Sequence, residues 1–98
     1  FGGGINNFNY SLSKHCSDFI PKELRKLSNK NILTNNVKIG LVNTKIHKKI
    51  SKKKMSKRIQ LIPAKRMSNT KEITKLIMFL INENSYISSE TINISGGE

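Results

Sequence analysis

A chain of 98 residues with 18 Lys and Arg against 6 Asp and Glu carries a formal net charge of +12, enough length for one small domain with a limited core. No apolar run approaches the roughly 18 residues that a membrane span needs, and the lone Cys16 excludes an intrachain disulfide or a cysteine-based metal site, which fits a soluble protein of a reducing cytoplasm. The lack of any acidic residue between Glu23 and Glu72 raises nucleic acid as a partner, yet Lys, Asn and Ile dominate the chain as an AT-rich coding sequence favours, so the charge is read as a solvated surface.

The first residue is Phe1 rather than Met, and no charged leader precedes an apolar run, so the start is read as a cut end and not a signal peptide. Residues 1–9 are rich in Gly and Asn and predict a loop. Cys16, Phe19, Ile20, Leu24 and Leu27 then recur at three- and four-residue spacing, predicting a helix over 10–27 that Pro21 should kink. After the polar break at 28–31, Leu33, Val37 and Ile39 alternate as one face of a strand, which Gly40 ends, so residues 32–44 are read as strand and loop. Residues 45–63 form an excursion, with eight Lys and Arg at 45–58 and Ile46, Ile50 and Met55 interspersed, closed by Pro63.

Asn69 and Glu72 stand in capping-box relation, and Ile73, Leu76, Ile77, Leu80 and Ile81 follow as a broad stripe expected to be buried, predicting a helix over 69–82. Residues 91–95 alternate as a short strand before Gly96 and Gly97. Loop, helix, strand, excursion, helix and strand make half of an α/β layered fold, in which a right-handed crossover renders the two strands parallel neighbours.

Tyr10 and Lys14 are four apart, which on a helix places both side chains on one face within reach of a shared ligand. A phenol ordinarily ionises near pH 10 and a neighbouring ammonium favours the phenolate, so such a pair suits proton transfer. His15 and His47 lack companions at metal-ligand spacing, Cys16 is expected as a small residue on the apolar face, and Gly2, Gly3 and Gly4 follow no strand and lead into no phosphate-loop Lys.

In order along the chain come Tyr10-Ser11-Leu12-Ser13-Lys14, the asparagine-containing strand Ile32-Leu33-Thr34-Asn35-Asn36-Val37, the loop Gly40-Leu41-Val42-Asn43-Thr44, then Ile62-Pro63-Ala64-Lys65-Arg66, Glu72, Phe79-Leu80, Ser85-Tyr86-Ile87 and Ile92-Asn93-Ile94-Ser95-Gly96-Gly97. This ordered set resembles the C-terminal portion of the short-chain dehydrogenase/reductase family over essentially the whole chain. The resemblance implies the C-terminal part of a Rossmann-type, doubly wound parallel sheet, and a carbonyl–alcohol oxidoreductase using NAD or NADP. It implies Tyr10 as the general acid/base and Lys14 as the residue that holds the nicotinamide ribose. The backbone around Val42, in the loop opened by Gly40, and the hydroxyl of Thr44 would meet the nicotinamide carboxamide.

The family's habit of packing its tyrosine-bearing helices across an interface implies a homodimer or homotetramer. Its substrate pocket would be shaped largely by the segment between Thr44 and Pro63. Three positions depart from the pattern: Ile39 stands where proline usually precedes the loop glycine, Ser89 replaces a common glycine, and Pro21 interrupts the tyrosine-bearing helix. The family's glycine-rich dinucleotide turn, active-site asparagine and catalytic serine all precede the position matched by Tyr10, so the chain is expected to be inactive alone. The rival expectation is a small basic module in which residues 45–58 engage nucleic acid or an anionic membrane surface.

Overall fold

The computed structural model describes residues 7–98. Four α-helices, α1 (Phe8–Ser17), α2 (Ile20–Glu23), α3 (Lys52–Leu61) and α4 (Thr70–Asn82), accompany two strands, β1 (Asn36–Ile39) and β2 (Thr91–Ile94), and two 3-10 helices, Leu24–Lys30 and Lys45–Lys49. β1 and β2 are neighbours in a two-stranded sheet. Asn36 N–H donates to the Glu90 carbonyl at 2.8 Å and Gly40 N–H to the Ile94 carbonyl at 3.0 Å, and this constant offset is that of a parallel pair. The described residues divide into two compact units, 7–37 with 84–92 and 38–83 with 93–98.

In the first unit, the helix expected over 10–27 is broken into three pieces. α1 begins at Phe8, so the expected loop does not reach Asn9, while its residues 1–6 lie outside the described part. The break at Asp18 and Phe19 has a local cause: a proline ring clashes with the carbonyl four residues earlier and supplies no N–H, so a helix through Ser17 cannot continue across Pro21. Pro21 is instead tolerated in the first turn of the new helix α2, where its missing donor is not needed, and it is buried there. The following 3-10 turn stops at Asn31, which adopts a left-handed φ of 60°, a conformation that Asn tolerates better than most side chains.

The strand also starts later than the alternation at 32–39 predicts. Side chains occupy the bonds that a longer ladder would need: Asn35 donates to the Ile87 carbonyl at 2.8 Å and accepts from Glu90 N–H at 3.2 Å. Thr34 N–H donates to Ser88 Oγ at 3.3 Å, and Ser88 and Ser28 share a 2.7 Å hydroxyl contact. Ser89, one of the departures from the family pattern, has a φ of 64°. A glycine takes that conformation freely, whereas a residue with a Cβ loses roughly 1–2 kcal/mol.

The second unit holds the buried apolar residues Leu41, Ile62 and Ile73. Val42 and Ser68 form an isolated parallel bridge, with Ser68 N–H donating to the Leu41 carbonyl at 3.0 Å and Asn43 N–H donating to the Ser68 carbonyl at 2.9 Å. Gly96 and Gly97 turn with φ of 69° and 93°, and a Cβ on Gly96 would come within 3.1 Å of Ile62 Cγ2, so glycine is needed there both for backbone sign and for space.

α4 starts on a complete capping box: Asn69 Oδ1 accepts from Glu72 N–H at 3.0 Å and Glu72 Oε2 accepts from Asn69 N–H at 2.8 Å. Of the stripe expected to be buried, Ile73 is buried, Leu76 and Leu80 are half-buried, and Ile77 and Ile81 are exposed. A broad apolar face needs a sheet surface at least as broad to cover it, and two four-residue strands do not provide one.

Candidate active site

Tyr10 and Lys14 share one face of α1, in the first unit. Lys14 Nζ lies 5.3 Å from the centroid of the Tyr10 ring, within the range at which an ammonium is attracted to the face of an aromatic ring. Both side chains are exposed, and α1 buries none of its residues. The helix carries two serines whose hydroxyls bond back along it, Ser13 Oγ to the Tyr10 carbonyl at 2.7 Å and Ser17 Oγ to the Ser13 carbonyl at 3.1 Å. Such back-bonding satisfies the hydroxyls locally and leaves the Tyr10 and Lys14 face without a competing polar partner from these serines. Cys16, expected on a buried apolar face, is exposed, as α1 buries none of its residues.

Gly40, Val42 and Thr44 lie on one segment of the second unit. A Cβ on Gly40 would approach Ser95 Cα to 2.7 Å, so the absence of a side chain lets β1 and the end of β2 close up where the loop begins. In the bridge to Ser68, the groups engaged are the Leu41 carbonyl and the Asn43 N–H. Val42's own N–H and carbonyl therefore point to the opposite side, as alternate residues of an extended chain do. Thr44 precedes the 3-10 turn Lys45–Lys49, in extended conformation, with no capping hydrogen bond from its side chain. Within the second unit, an N–H and carbonyl at Val42 turned away from Ser68 and a Thr44 hydroxyl without a capping bond make a donor and acceptor set that fits a carboxamide.

The same unit contains an open pocket of about 440 Å³ with Thr44 and His47 on its lining and Ile50, Met55, Ile59 and Met67 as its apolar wall. The regular spacing of Met55 and Ile59 on α3 is the sequence signal for this wall, and the surrounding lysines mask it. Ile46, an apolar residue of the same segment, is 80% exposed and takes no part.

Charge is organised most tightly at the start of α4, where Arg66 bonds both carboxylate oxygens of Glu72, at 2.7 and 3.0 Å. The Arg66 hydrogen bond, followed by that from Asn69 N–H, lowers the Glu72 carboxyl to about 2. Among the described residues no group of His, Cys, Asp or Glu side chains is placed to hold a metal ion, and no helix is long and apolar enough to cross a membrane.

Residues 3–98 match the family whose model is described as enoyl-(acyl carrier protein) reductase. The chain belongs to the short-chain dehydrogenase/reductase family. Among curated members of this family, it is 36% identical over 97 residues to a 3-oxoacyl-[acyl-carrier-protein] reductase of Buchnera aphidicola subsp. Baizongia pistaciae, covering 97% of this chain and 40% of that protein. It is 32% identical over 99 residues to the 3-oxoacyl-[acyl-carrier-protein] reductase of Aquifex aeolicus, covering 99% of this chain and 40% of the other. The chain therefore spans about 40% of the length of the curated relatives it matches.

Among solved structures, it superimposes with a TM-score of 0.86 at 26% identity on YwfH, an NADPH-dependent reductase involved in bacilysin biosynthesis, over 97% of this chain and 41% of that one. A Serratia marcescens short-chain dehydrogenase/reductase matches with a TM-score of 0.83 at 26% identity, over 99% of this chain and 39% of the other. The parallel pair β1 and β2 with its helices is accordingly part of a short-chain dehydrogenase/reductase Rossmann-type α/β sheet.

Proposed function

We propose that this chain supplies the proton-transfer and nicotinamide-facing part of a cytoplasmic NAD(P)-dependent reductase acting on a 3-oxoacyl group borne by a carrier protein. The observation that carries the reading is the pairing of Tyr10 with Lys14 on one exposed face of α1 in a chain of the short-chain dehydrogenase/reductase family. The acyl substrate is taken from the activity of the curated relatives, and the cofactor from membership of the family and the NADPH dependence of YwfH.

In the reductive direction a reduced nicotinamide, when bound, would supply the hydride that the carbonyl carbon receives. Tyr10 Oη donates its proton to the carbonyl oxygen, and the product alcohol keeps it. Lys14 Nζ donates hydrogen bonds to the ribose hydroxyls and places a positive charge beside the phenolate that Tyr10 becomes. Val42's backbone and the Thr44 hydroxyl would hold the carboxamide of the nicotinamide and so orient it. Gly40 keeps that loop close to the strand end. In oxidation the proton runs the other way, from alcohol to Tyr10.

Tyr10→Phe in the full-length enzyme keeps the ring but deletes the transferable proton. It should remove most of the turnover and leave cofactor affinity nearly intact. Lys14→Met should damage both, since it loses a ribose contact as well as a charge. Steady-state kinetics with cofactor titration separates the two, and near-normal turnover in Tyr10→Phe would sink the assignment. The chain by itself is proposed to bind no NAD(P), because pyrophosphate affinity in this fold resides in a glycine-rich turn and helix N-terminus that residues 7–98 do not contain. Micromolar binding in a calorimetric titration of the isolated chain would contradict that. The full-length enzyme is further proposed to be a homodimer or homotetramer, which sedimentation at micromolar concentration tests.

A further inference from the structure

α1 ends in a way that does not serve the helix itself. Pro21 stops it at Ser17, so Asp18 becomes its C-cap residue. A carboxylate there faces the negative end of the helix dipole, which favours cations such as Lys14 and His15 of the last turn. Asp18 is also half-buried, and a carboxylate withdrawn from water is costly unless it accepts hydrogen bonds. A residue far along the chain explains its place: Asn36 Nδ2 donates to Asp18 Oδ1 at 2.9 Å.

Asn36 is out of place by its own local preference as well. It opens β1, although Asn is among the residues depleted from strands. Its backbone and side chain act on different elements. The N–H donates to the Glu90 carbonyl at 2.8 Å, at the head of the β1–β2 pair, while the side chain reaches the end of α1. One residue thus fastens the helix end to the sheet. The fastening matters because α1 buries none of its residues and has little apolar packing to fix its position, while the exposed Tyr10 and Lys14 ride on it.

We propose that Asn36 and Asp18 are positioning residues, whose hydrogen bond sets where α1 stands against β1 and so holds the Tyr10 proton where the reaction uses it. This rests on the functional reading of Tyr10 above. Helical spacing fixes Tyr10 against Lys14 within α1, and the tie to Asn36 fixes the helix that carries both. A hydrogen bond to a carboxylate is shorter and stronger than one between neutral groups, which suits it to this task.

The test uses the full-length enzyme with a reduced nicotinamide cofactor and a 3-oxoacyl thioester, assayed well below the Tm of each variant. Asn36→Asp sets a second carboxylate against Asp18, and Asn36→Ala removes the donor without adding charge. Each should lower kcat by about tenfold, since misplacing a reacting group by ~1 Å costs up to about a hundredfold. Affinity for an adenine-nucleotide fragment should stay within about twofold, because that ligand does not reach the nicotinamide end. The double variant Asp18→Asn/Asn36→Asp exchanges donor and acceptor and should recover kcat to within about threefold of the wild type. Hydrogen exchange of the α1 amides should be faster in both single variants and slow again in the double one.

Wild-type kcat in Asn36→Ala, with α1 exchanging faster, would overturn the proposal, since the bond would then stabilise the helix without placing Tyr10. A double variant as slow as Asn36→Asp would overturn it too, as the loss would not run through this bond. Near-normal turnover in Tyr10→Phe, with α1 exchange still governed by the pair, would instead overturn the functional reading and leave the anchoring of α1 standing.

Discussion

Replacing Gly40 with alanine sets a new Cβ 2.7 Å from Ser95 Cα, 2.9 Å from Ser95 Cβ and 3.2 Å from the Ser95 carbonyl oxygen. Carbon atoms in good contact sit about 3.5–4.0 Å apart, so β1 and the residue after β2 must separate by close to ~1 Å. They cannot do so freely, because Gly40 N–H donates to the Ile94 carbonyl at 3.0 Å in the rung beside the clash. Overpacking that cannot relax through a flexible side chain costs about 1–3 kcal/mol. For a chain of this length each kcal/mol lowers Tm by about 4–8 °C, so Gly40→Ala should lower it by roughly 4–24 °C. Thermal unfolding followed by circular dichroism measures this. Ser95→Gly in the Gly40→Ala background removes the contact to Cβ and leaves those to Cα and the carbonyl, so it should recover part of the loss and not all of it. A Gly40→Ala enzyme with the wild-type Tm would refute the steric reasoning, and full recovery by Ser95→Gly would show that the Cβ contact alone carried the cost.

Thr44→Ala should weaken binding of the whole dinucleotide more than that of an adenine-nucleotide fragment, as the lost hydroxyl lies at the nicotinamide end; equal losses by calorimetry would place Thr44 elsewhere. Ile62 is 1% exposed, and truncating such a residue to alanine costs about 2–5 kcal/mol, which urea unfolding of Ile62→Ala would show as a lower midpoint with an unchanged slope. The Glu72 carboxyl, held by Arg66 and Asn69 N–H, is lowered from 4.5 to about 2. Because its folded value is depressed, its contribution to α4 is fully present above about pH 4.5 and is lost as pH falls toward 2. Glu72→Gln should therefore flatten the acid dependence of stability across that window, and an acid transition identical to the wild type would contradict the role given to the Arg66 contact.

Features that depend on a few neighbouring residues were legible in the sequence. The start of α4 is one, since Asn69 and Glu72 satisfy each other's backbone groups within a single turn whatever surrounds them. The facing of Tyr10 and Lys14 is another, because it follows from helical spacing alone once α1 forms. Pro21 announced an interruption, although only the structure shows that it begins a new helix and ends the old one earlier, at Ser17. Family membership was legible because the order of motifs along the chain is itself a sequence property. None of these required knowledge of a distant contact.

What only the tertiary structure decided depends on partners far apart in the chain. Residues 32–35 alternate like a strand, yet the side chain of Asn35 bonds Ile87 and Glu90, and Thr34 bonds Ser88 and Ser89, so β1 waits until Asn36. Gly40 needs to be glycine because of Ser95, and Gly96 because of Ile62 and Ala64. The pocket exists because Met67 comes to lie beside Ile50, Met55 and Ile59, whose spacing within a run of lysines otherwise reads as a solvated surface. Apolar periodicity states that a face can be buried; whether Ile77 and Ile81 are buried depends on how much sheet is there to cover them, and that is a property of the packed chain.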